Sequence, residues 1–338
     1  MISLLQARLG WRCLEDSEDL LVCSTFLRMQ FRLNGLSQEE RSEFLALFQS
    51  RKSFCSEGMS GKLVASIERL YEEGVFVKNR EQNLPTAKYN IYDRQIRFFE
   101  QFVTQGTGED LCQEIQNKRV LVVGLGGIGS QLVEQFARVG VKSIVGIDGD
   151  VVEESNLARQ VLYCRHDIGE KKAIAAKRRL TEIAPNVEFV AVDAMIERTE
   201  DIAPYIDNAD LVLNGFGYPP SNRLHKTLCG IILMACREKK VPCFLFGGSA
   251  FGPIFNGKFL DYSSVFYIQE IQDLSAFQAT ALRESFQASF SPRVAIVANI
   301  AAWEAVRYLG RLPGIDISRN LIILDTLSYQ TRIVPLRV

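Results

Sequence analysis

The apolar positions follow two different rhythms along the chain. In Leu27-Arg-Met-Gln-Phe-Arg-Leu33 apolar and polar residues alternate, the mark of a half-buried strand. Ser37-Gln-Glu-Glu40 has capping-box spacing, and Phe44, Leu47 and Phe48 give the helix that follows one apolar face. A second helix carries Leu63, Ile67, Leu70 and Tyr71 at helical spacing, and Gly74 breaks it ahead of Val75-Phe-Val77. Short strands, helix, helix, strand: residues 1–80 predict a small winged-helix-like α+β module.

Further on the pattern changes. Val120 to Val123 is continuously apolar, as a buried parallel strand is, and runs into a glycine turn and a helix from about Gly129 to Val139. Lys142 to Ile147 reads as a second strand, Ala209 to Asn214 as another, and a helix from about Asn222 to Lys239 feeds the strand Pro242 to Phe246. Ser291 opens a long apolar helix to Leu309, and the strands Asn320 to Leu327 and Tyr329 to Leu336 complete the sheet. The order predicts an α/β, Rossmann-like domain with a mixed sheet over residues 81–338. Asp261 to Phe290 is polar with scattered aromatics.

Gly124, Gly126 and Gly129 stand at G-x-G-x-x-G spacing, with Gly127 between them. Such a turn lets backbone approach a ligand closely and points helix N–H groups at an anion. By itself the run is a weak signal. The second strand ends at Asp148, where a nucleotide fold places a carboxylate for the ribose hydroxyls, roughly 20 residues on. Asp150, Asn156, Arg159, Gln160 and Lys172 then follow within one loop and one helix. Arg159 and Lys172 supply charge for phosphates, Asn156 can bond a phosphate or sugar oxygen, and Asp150 can hold Mg²⁺ or orient the lysine. Lys177, Arg178 and Arg179 read instead as a solvated helix face. An NAD-dependent oxidoreductase would use the glycines and Asp148 but leaves Asn156, Arg159 and Lys172 without a task.

The chain has 338 residues, 47% of them hydrophobic, enough for two domains with buried cores, and its formal net charge is −1. No basic stripe emerges to bind nucleic acid or an anionic membrane, because Arg28, Arg32, Arg41, Arg51 and Lys52 are interspersed with Glu39, Glu40, Glu43 and Glu57. The eight cysteines form no C-x-x-C pair. They read as thiols in a reducing cytosol, in a chain with neither a secretory leader nor a membrane span. The two histidines, His166 and His225, have no catalytic constellation around them and read as surface or structural.

Gly-Leu-Gly-Gly-Ile-Gly-Ser130, then Asp148-Gly-Asp-Val-Val-Glu-Glu-Ser-Asn-Leu-Ala-Arg-Gln160, then Ile168-Gly-Glu-Lys-Lys172 resemble the adenylating domain of the ubiquitin-activating-enzyme superfamily, which includes the molybdopterin- and thiamine-pathway activators. The resemblance implies binding of ATP·Mg²⁺ and activation of a peptide carboxylate as an acyl adenylate, with release of pyrophosphate. It implies that Asp148 takes the ribose and that Asn156, Arg159 and Lys172 contact the phosphates. Tyr92-Asp-Arg-Gln-Ile-Arg97 matches a further family segment, which implies a homodimer whose Arg94 reaches the partner's phosphates in trans.

The family's structural zinc, held by two C-x-x-C pairs, is not expected here. No cysteine follows Cys243, which disfavours a thioester relay. The Mg²⁺-binding Asp of the family falls at Gly217, so how the cation is held stays open between Asp150, Asn214 and Asn222, and so does adenylate against acyl phosphate. The family uses the region 261–290 as a crossover loop over its peptide.

A small N-terminal module fused to this domain resembles the superfamily branch that modifies ribosomally made precursor peptides, of the microcin C and pantocin A kinds. The branch implies a precursor peptide added as a strand near Leu27 to Leu33, glutamate side-chain activation and cyclisation, and a role in antibiotic biosynthesis. C-terminal adenylation giving a phosphoramidate, activation of a sulfur-carrier or ubiquitin-like protein, and a non-catalytic peptide-presenting scaffold are the alternatives.

Overall fold

The computed structural model describes residues 5–8, 10–24, 27–50, 52–78, 91–215, 223–247, 250–255, 289–325 and 328–335. They form two compact units, Met1–Glu114 and Ile115–Val338.

The first unit opens with strands β1 (Leu5–Ala7), β2 (Trp11–Asp16), β3 (Asp19–Ser24) and β4 (Met29–Leu33). Helices α1 (Gln38–Ser50) and α2 (Gly61–Glu72) follow, then β5 (Phe76–Lys78), α3 (Asp93–Phe99) and α4 (Gly108–Gln116). β2, β3 and β4 make an antiparallel meander with β3 in the middle, and β1 pairs with β5. The capping box forms at the head of α1: Ser37 N donates to Glu40 Oε2 at 2.6 Å and Glu40 N to Ser37 Oγ at 3.2 Å. Leu63, Ile67 and Leu70 of α2 are buried, as their spacing predicts, against Trp11, Leu20, Val22, Phe44, Phe48 and Phe76. Gly74 has φ +76°, and a Cβ there would stand 2.2 Å from Thr104 O, so the residue ending α2 has to be glycine. The alternating segment becomes β4 only from Met29; Leu27 and Arg28 form a turn, with Arg28 at φ +55°.

The second unit carries β6 (Arg119–Val123), α5 (Gly127–Val139), β7 (Ser143–Ile147), α6 (Lys172–Ile183), β8 (Glu188–Val192), α7 (Thr199–Ile206) and β9 (Leu211–Asn214). It continues through α8 (Arg223–Lys239), β10 (Cys243–Gly247), β11 (Ala250–Phe255), a helix here numbered α9 (Ser291–Leu309), β12 (Asn320–Leu324) and β13 (Thr331–Pro335). The sheet order is β13-β12-β11-β10-β9-β6-β7-β8. The five strands from β10 to β8 are parallel and β11, β12 and β13 antiparallel, the mixed Rossmann-like sheet that the sequence predicts. From β6 the chain moves to β7 on one side and later returns to β9 on the other. The crevice at the carboxyl ends of these strands is therefore a topological switch point, where open α/β sheets bind ligands.

Behind the sheet, α9 carries a buried ion pair. Arg307 Nη2 lies 2.6 Å from Glu304 Oε2 and donates to Ile315 O at 2.7 Å, while Nη1 donates to Pro313 O at 2.9 Å. One guanidinium thus satisfies both a buried carboxylate and the loop after the helix. Arg307→Ala leaves Glu304 buried without its partner and is expected to cost about 3–5 kcal/mol, measured by urea denaturation; loss of under about 1 kcal/mol would contradict this account.

Candidate active site

The site grows from the carboxyl ends of β6, β7 and β9. Gly124 leaves β6 at φ +89°, its N–H donating to Ile147 O at 2.7 Å. Helix α5 begins at Gly127, two residues earlier than the sequence predicts, so Gly127 and Gly129 lie in its first turn. Gly126 is its N-cap and offers no side chain to the free N–H groups there. A Cβ on Gly129 would sit 1.7 Å from Gly124 O, and one on Gly215 2.5 Å from the same oxygen. These two positions close the cradle from either side of Gly124. The uncapped N-terminus is suited to an anion.

Asp148, buried just beyond β7, holds the turn in place. Its Oδ2 accepts from Leu125 N at 2.7 Å and its Oδ1 from Asp150 N at 2.9 Å. A carboxylate has about four acceptor sites, so capacity remains for hydroxyls. Tyr163 braces the same turn from below, its hydroxyl donating to Leu125 O at 3.0 Å. Burial, with Asp148 nearby, pushes that phenol's pKa up, so it stays a neutral donor.

After Asp150 the chain makes a strap that returns to its own start. Val151 and Lys171 form a bridge, Val152 N donates to Glu170 O at 2.8 Å, and Lys172 N to Asp150 O at 3.0 Å. This brings Lys172 Nζ to 2.8 Å from Asp150 Oδ2. The lysine side chain is 7% exposed and the aspartate 59%, so a buried ammonium faces an aspartate that is free to turn. Of the two tasks open to Asp150, the structure shows the orienting one.

Within the strap, Asn156 is buried and closes a capping box with Glu153, its Oδ1 accepting from Glu153 N at 3.2 Å. Arg159 Nη1 donates to Ser155 O at 2.9 Å, and Arg159 Cδ would lie 3.8 Å from a Cβ on Gly127. Gln160 Nε2 would lie 3.8 Å from one on Gly126, and Gln160 Oε1 is buried with no hydrogen-bond partner among the described residues. An orphaned acceptor beside the cradle fits a ligand that donates a hydrogen bond.

The structure thus gathers Gly124, Gly126, Gly127, Gly129, Asp148, Asp150, Asn156, Arg159, Gln160 and Lys172 around one turn. Arg94 belongs to the first unit, where it is exposed on α3. Arg178 is exposed on α6, as the solvated face predicts, and from there it binds Asp167 and, at 2.7 Å, Glu170. Gly217 and Asn222 lie outside the described residues, as do residues 261–288 of the crossover region. Sequence reasoning missed Tyr163 and Gly215. Neither carries a local signal, since each acts on the glycine turn only through the fold.

A Rossmann-like sheet with a phosphate cradle at its switch point defines a nucleotide-binding α/β protein. The ThiF family model matches residues 92–337, and the chain belongs to that family. It is 26% identical over 245 residues to molybdopterin-synthase adenylyltransferase of Escherichia coli, spanning 70% of this chain and 90% of that one. It is 31% identical over 133 residues to the SAMP-activating enzyme E1 of Haloferax volcanii, a match spanning 39% of this chain and about half of that relative, 49%. Family and relatives make it an ATP-dependent adenylating enzyme. The fold is that of E. coli MccB, solved with ATP, at TM-score 0.75 and 18% identity over 98% of this chain and 97% of that one. PaaA shares it at TM-score 0.71 and 18% identity over 97% and 98%. Among the described residues no helix is long and apolar enough to cross a membrane.

Gly129→Ala forces the cradle open and is expected to cost about 1–3 kcal/mol and to weaken ATP binding. Gly61→Ala at the start of α2, where a Cβ meets nothing within 4 Å, should be neutral or slightly stabilising. Urea denaturation with nucleotide titration compares the two, and equal effects would sink this reading of the cradle.

Proposed function

We propose that this enzyme uses ATP to activate a carboxylate of a ribosomally made precursor peptide, and that the carboxylate is a glutamate side chain then closed into a ring during maturation of a peptide antibiotic. The observation that carries the reading is the buried Lys172 ammonium paired with Asp150 beside the glycine cradle, in a chain that takes the fold of MccB over 98% of its length and of PaaA over 97%.

ATP lies over the loop from Gly124 to Gly129, its phosphates toward the uncapped first turn of α5 and its ribose hydroxyls on the spare lone pairs of Asp148. The orphaned Gln160 Oε1 and the cradle that a Cβ would fill both suit a nucleotide. A peptide carboxylate oxygen attacks the α-phosphorus, the bond to the bridging oxygen breaks, and pyrophosphate leaves. Arg159, Lys172 and Arg94 of a second protomer neutralise the charge that develops on it. Asp150, exposed on one side, would hold Mg²⁺ once it releases Lys172, and the cation would further screen the phosphates. A nucleophile within the peptide then displaces AMP.

The peptide is captured on the first unit. β4 pairs with β3 along one edge, and among the described residues its other edge has no strand partner, which suits an extended peptide added as a further strand. MccB has been solved in complex with N-formylated MccA, which supports a peptide as substrate class. Activation of a C-terminal carboxylate, leading to a phosphoramidate, shares the first step and differs in the product.

Mass spectrometry of a candidate precursor incubated with ATP and enzyme tests the chemistry: loss of water supports ring closure, whereas stable gain of AMP supports the phosphoramidate. Lys172→Ala should lower peptide-dependent pyrophosphate release by about 10²–10³-fold while peptide affinity is unchanged. Pyrophosphate release independent of peptide would argue against the substrate class. Hydrogen exchange should show β4 amides gaining protection on peptide binding while those of β2, the opposite edge, do not; protection confined to β2 would place the peptide elsewhere.

A further inference from the structure

One cluster of ligating side chains stands apart from the cradle. Between Gln160 and Lys172 the chain makes a 3-10 turn, Arg165–Asp167, with Cys164 as its N-cap. Cys164 N donates to Asp167 Oδ2 at 2.6 Å, and the Cys164 thiol donates to the same oxygen at 3.0 Å. Both ring nitrogens of His166 lie 3.3 Å from Cys164 Sγ, and His166 Nε2 lies 3.4 Å from Asp167 Oδ1. One ligand atom from each residue falls within 4.8 Å of the other two. A cleft of about 200 Å³ opens beside them, lined in part by Tyr163, Arg178 and Glu182.

Two features set this turn apart from an ordinary capped one. N-cap positions favour Ser, Thr, Asp or Asn, whose oxygen accepts a backbone N–H well. Cysteine gives up capping strength and places a sulfur against an imidazole and a carboxylate. In addition, the carboxylate is already organised: Asp167 is buried, Arg178 holds its Oδ1, and its Oδ2 is directed at the sulfur. An outer partner that fixes a ligating carboxylate is a recurrent feature of metal sites.

We propose that Cys164, His166 and Asp167 form a binding site for a divalent transition metal of the zinc type, with the fourth position open to the cleft. Sulfur and imidazole nitrogen with one carboxylate oxygen make a donor set for zinc or cobalt. Calcium and magnesium would instead seek six or more oxygens. On binding, the thiol proton leaves to solvent and the sulfur's electron pair bonds to the metal. A neutral imidazole and the Asp167 carboxylate each give one lone pair, and no oxidation state changes. Thiolate and carboxylate together balance the 2+ charge.

Ligand atoms around tetrahedral zinc stand on the order of 3.5 Å apart, so the three atoms must spread by a few tenths of an ångström. His166 can do this easily because its side chain is 76% exposed. This site is unrelated to the four-cysteine zinc of the wider superfamily and does not depend on the nucleotide reading.

The test is cobalt titration of the full-length chain, stripped with chelator, in the absence of nucleotide. Co²⁺ should produce a sulfur-to-cobalt charge-transfer band with visible d–d bands, release a proton in weakly buffered solution, and be displaced by Zn²⁺. Cys164→Ser and His166→Ala should each weaken Co²⁺ binding at least about tenfold. Both are surface changes, and unchanged circular dichroism would verify folding. Absence of the charge-transfer band in the parent protein, or its survival undiminished in either variant, overturns the proposal.

Discussion

The Asp148 carboxylate is the clasp on which the site depends. One oxygen holds Leu125 N in the glycine turn and the other holds Asp150 N at the root of the strap. Each is a charge-assisted bond of about 1.5–3 kcal/mol, the one to Leu125 fully buried and the one to Asp150 partly so. Because the two loops follow different strands, the carboxylate fixes the end of β6 against the end of β7. Gly129 and Gly215 can then approach Gly124 only without side chains. Tyr163 completes the arrangement by donating to Leu125 O in the same turn.

From that clasp the strap has a second physical consequence. A lysine with its side chain 7% exposed carries a large desolvation cost, offset here by Asp150 and by the backbone geometry that returns Lys172 to it. The pairing is asymmetric, since the aspartate remains in contact with solvent. Under the proposed reading, a phosphate arriving at the cradle would take over the ammonium while water or a cation takes over the carboxylate. In that reading the positive charge would be in position before the substrate arrives, and less reorganisation would be left for the reaction itself.

The parts legible in the sequence were those where one local pattern had one physical cause. The apolar run of β6, the glycine spacing, Asp148 and the capping box of α1 each follow from rules of period or backbone stereochemistry. So does the buried face of α2. Less legible were effects that exist only across the fold. The Glu304–Arg307 pair looks like an ordinary exposed i, i+3 pair in sequence, yet it is buried because α9 covers the sheet and the loop after it needs donors. Arg178 lies in a basic run that stays exposed, yet it also holds Asp167, whose burial no local pattern announces. Asn156 has a backbone partner in the structure, so its polar group serves the shape of the strap before any ligand is present.

Carboxylate activation also poses a recognition problem, because a carboxylate offers the cradle few atoms by which one peptide differs from another. Discrimination has to come from contacts remote from the reacting group. In the first unit, Met29, Phe31 and Leu33 of β4 turn toward the core while Gln30 and Arg32 face solvent, and Arg32 is paired with Asp16 at 2.6 Å and with Asp19 at 3.3 Å. The exposed face of that strand thus carries little unbalanced charge to select an acidic or basic peptide. Under the proposed reading, main-chain pairing along the β4 edge would supply affinity with little regard to sequence. Selectivity would then rest on shape, in the apolar contacts beside that edge, where Trp11 stacks on Phe31 at 5.7 Å and Arg69 lies over the same ring.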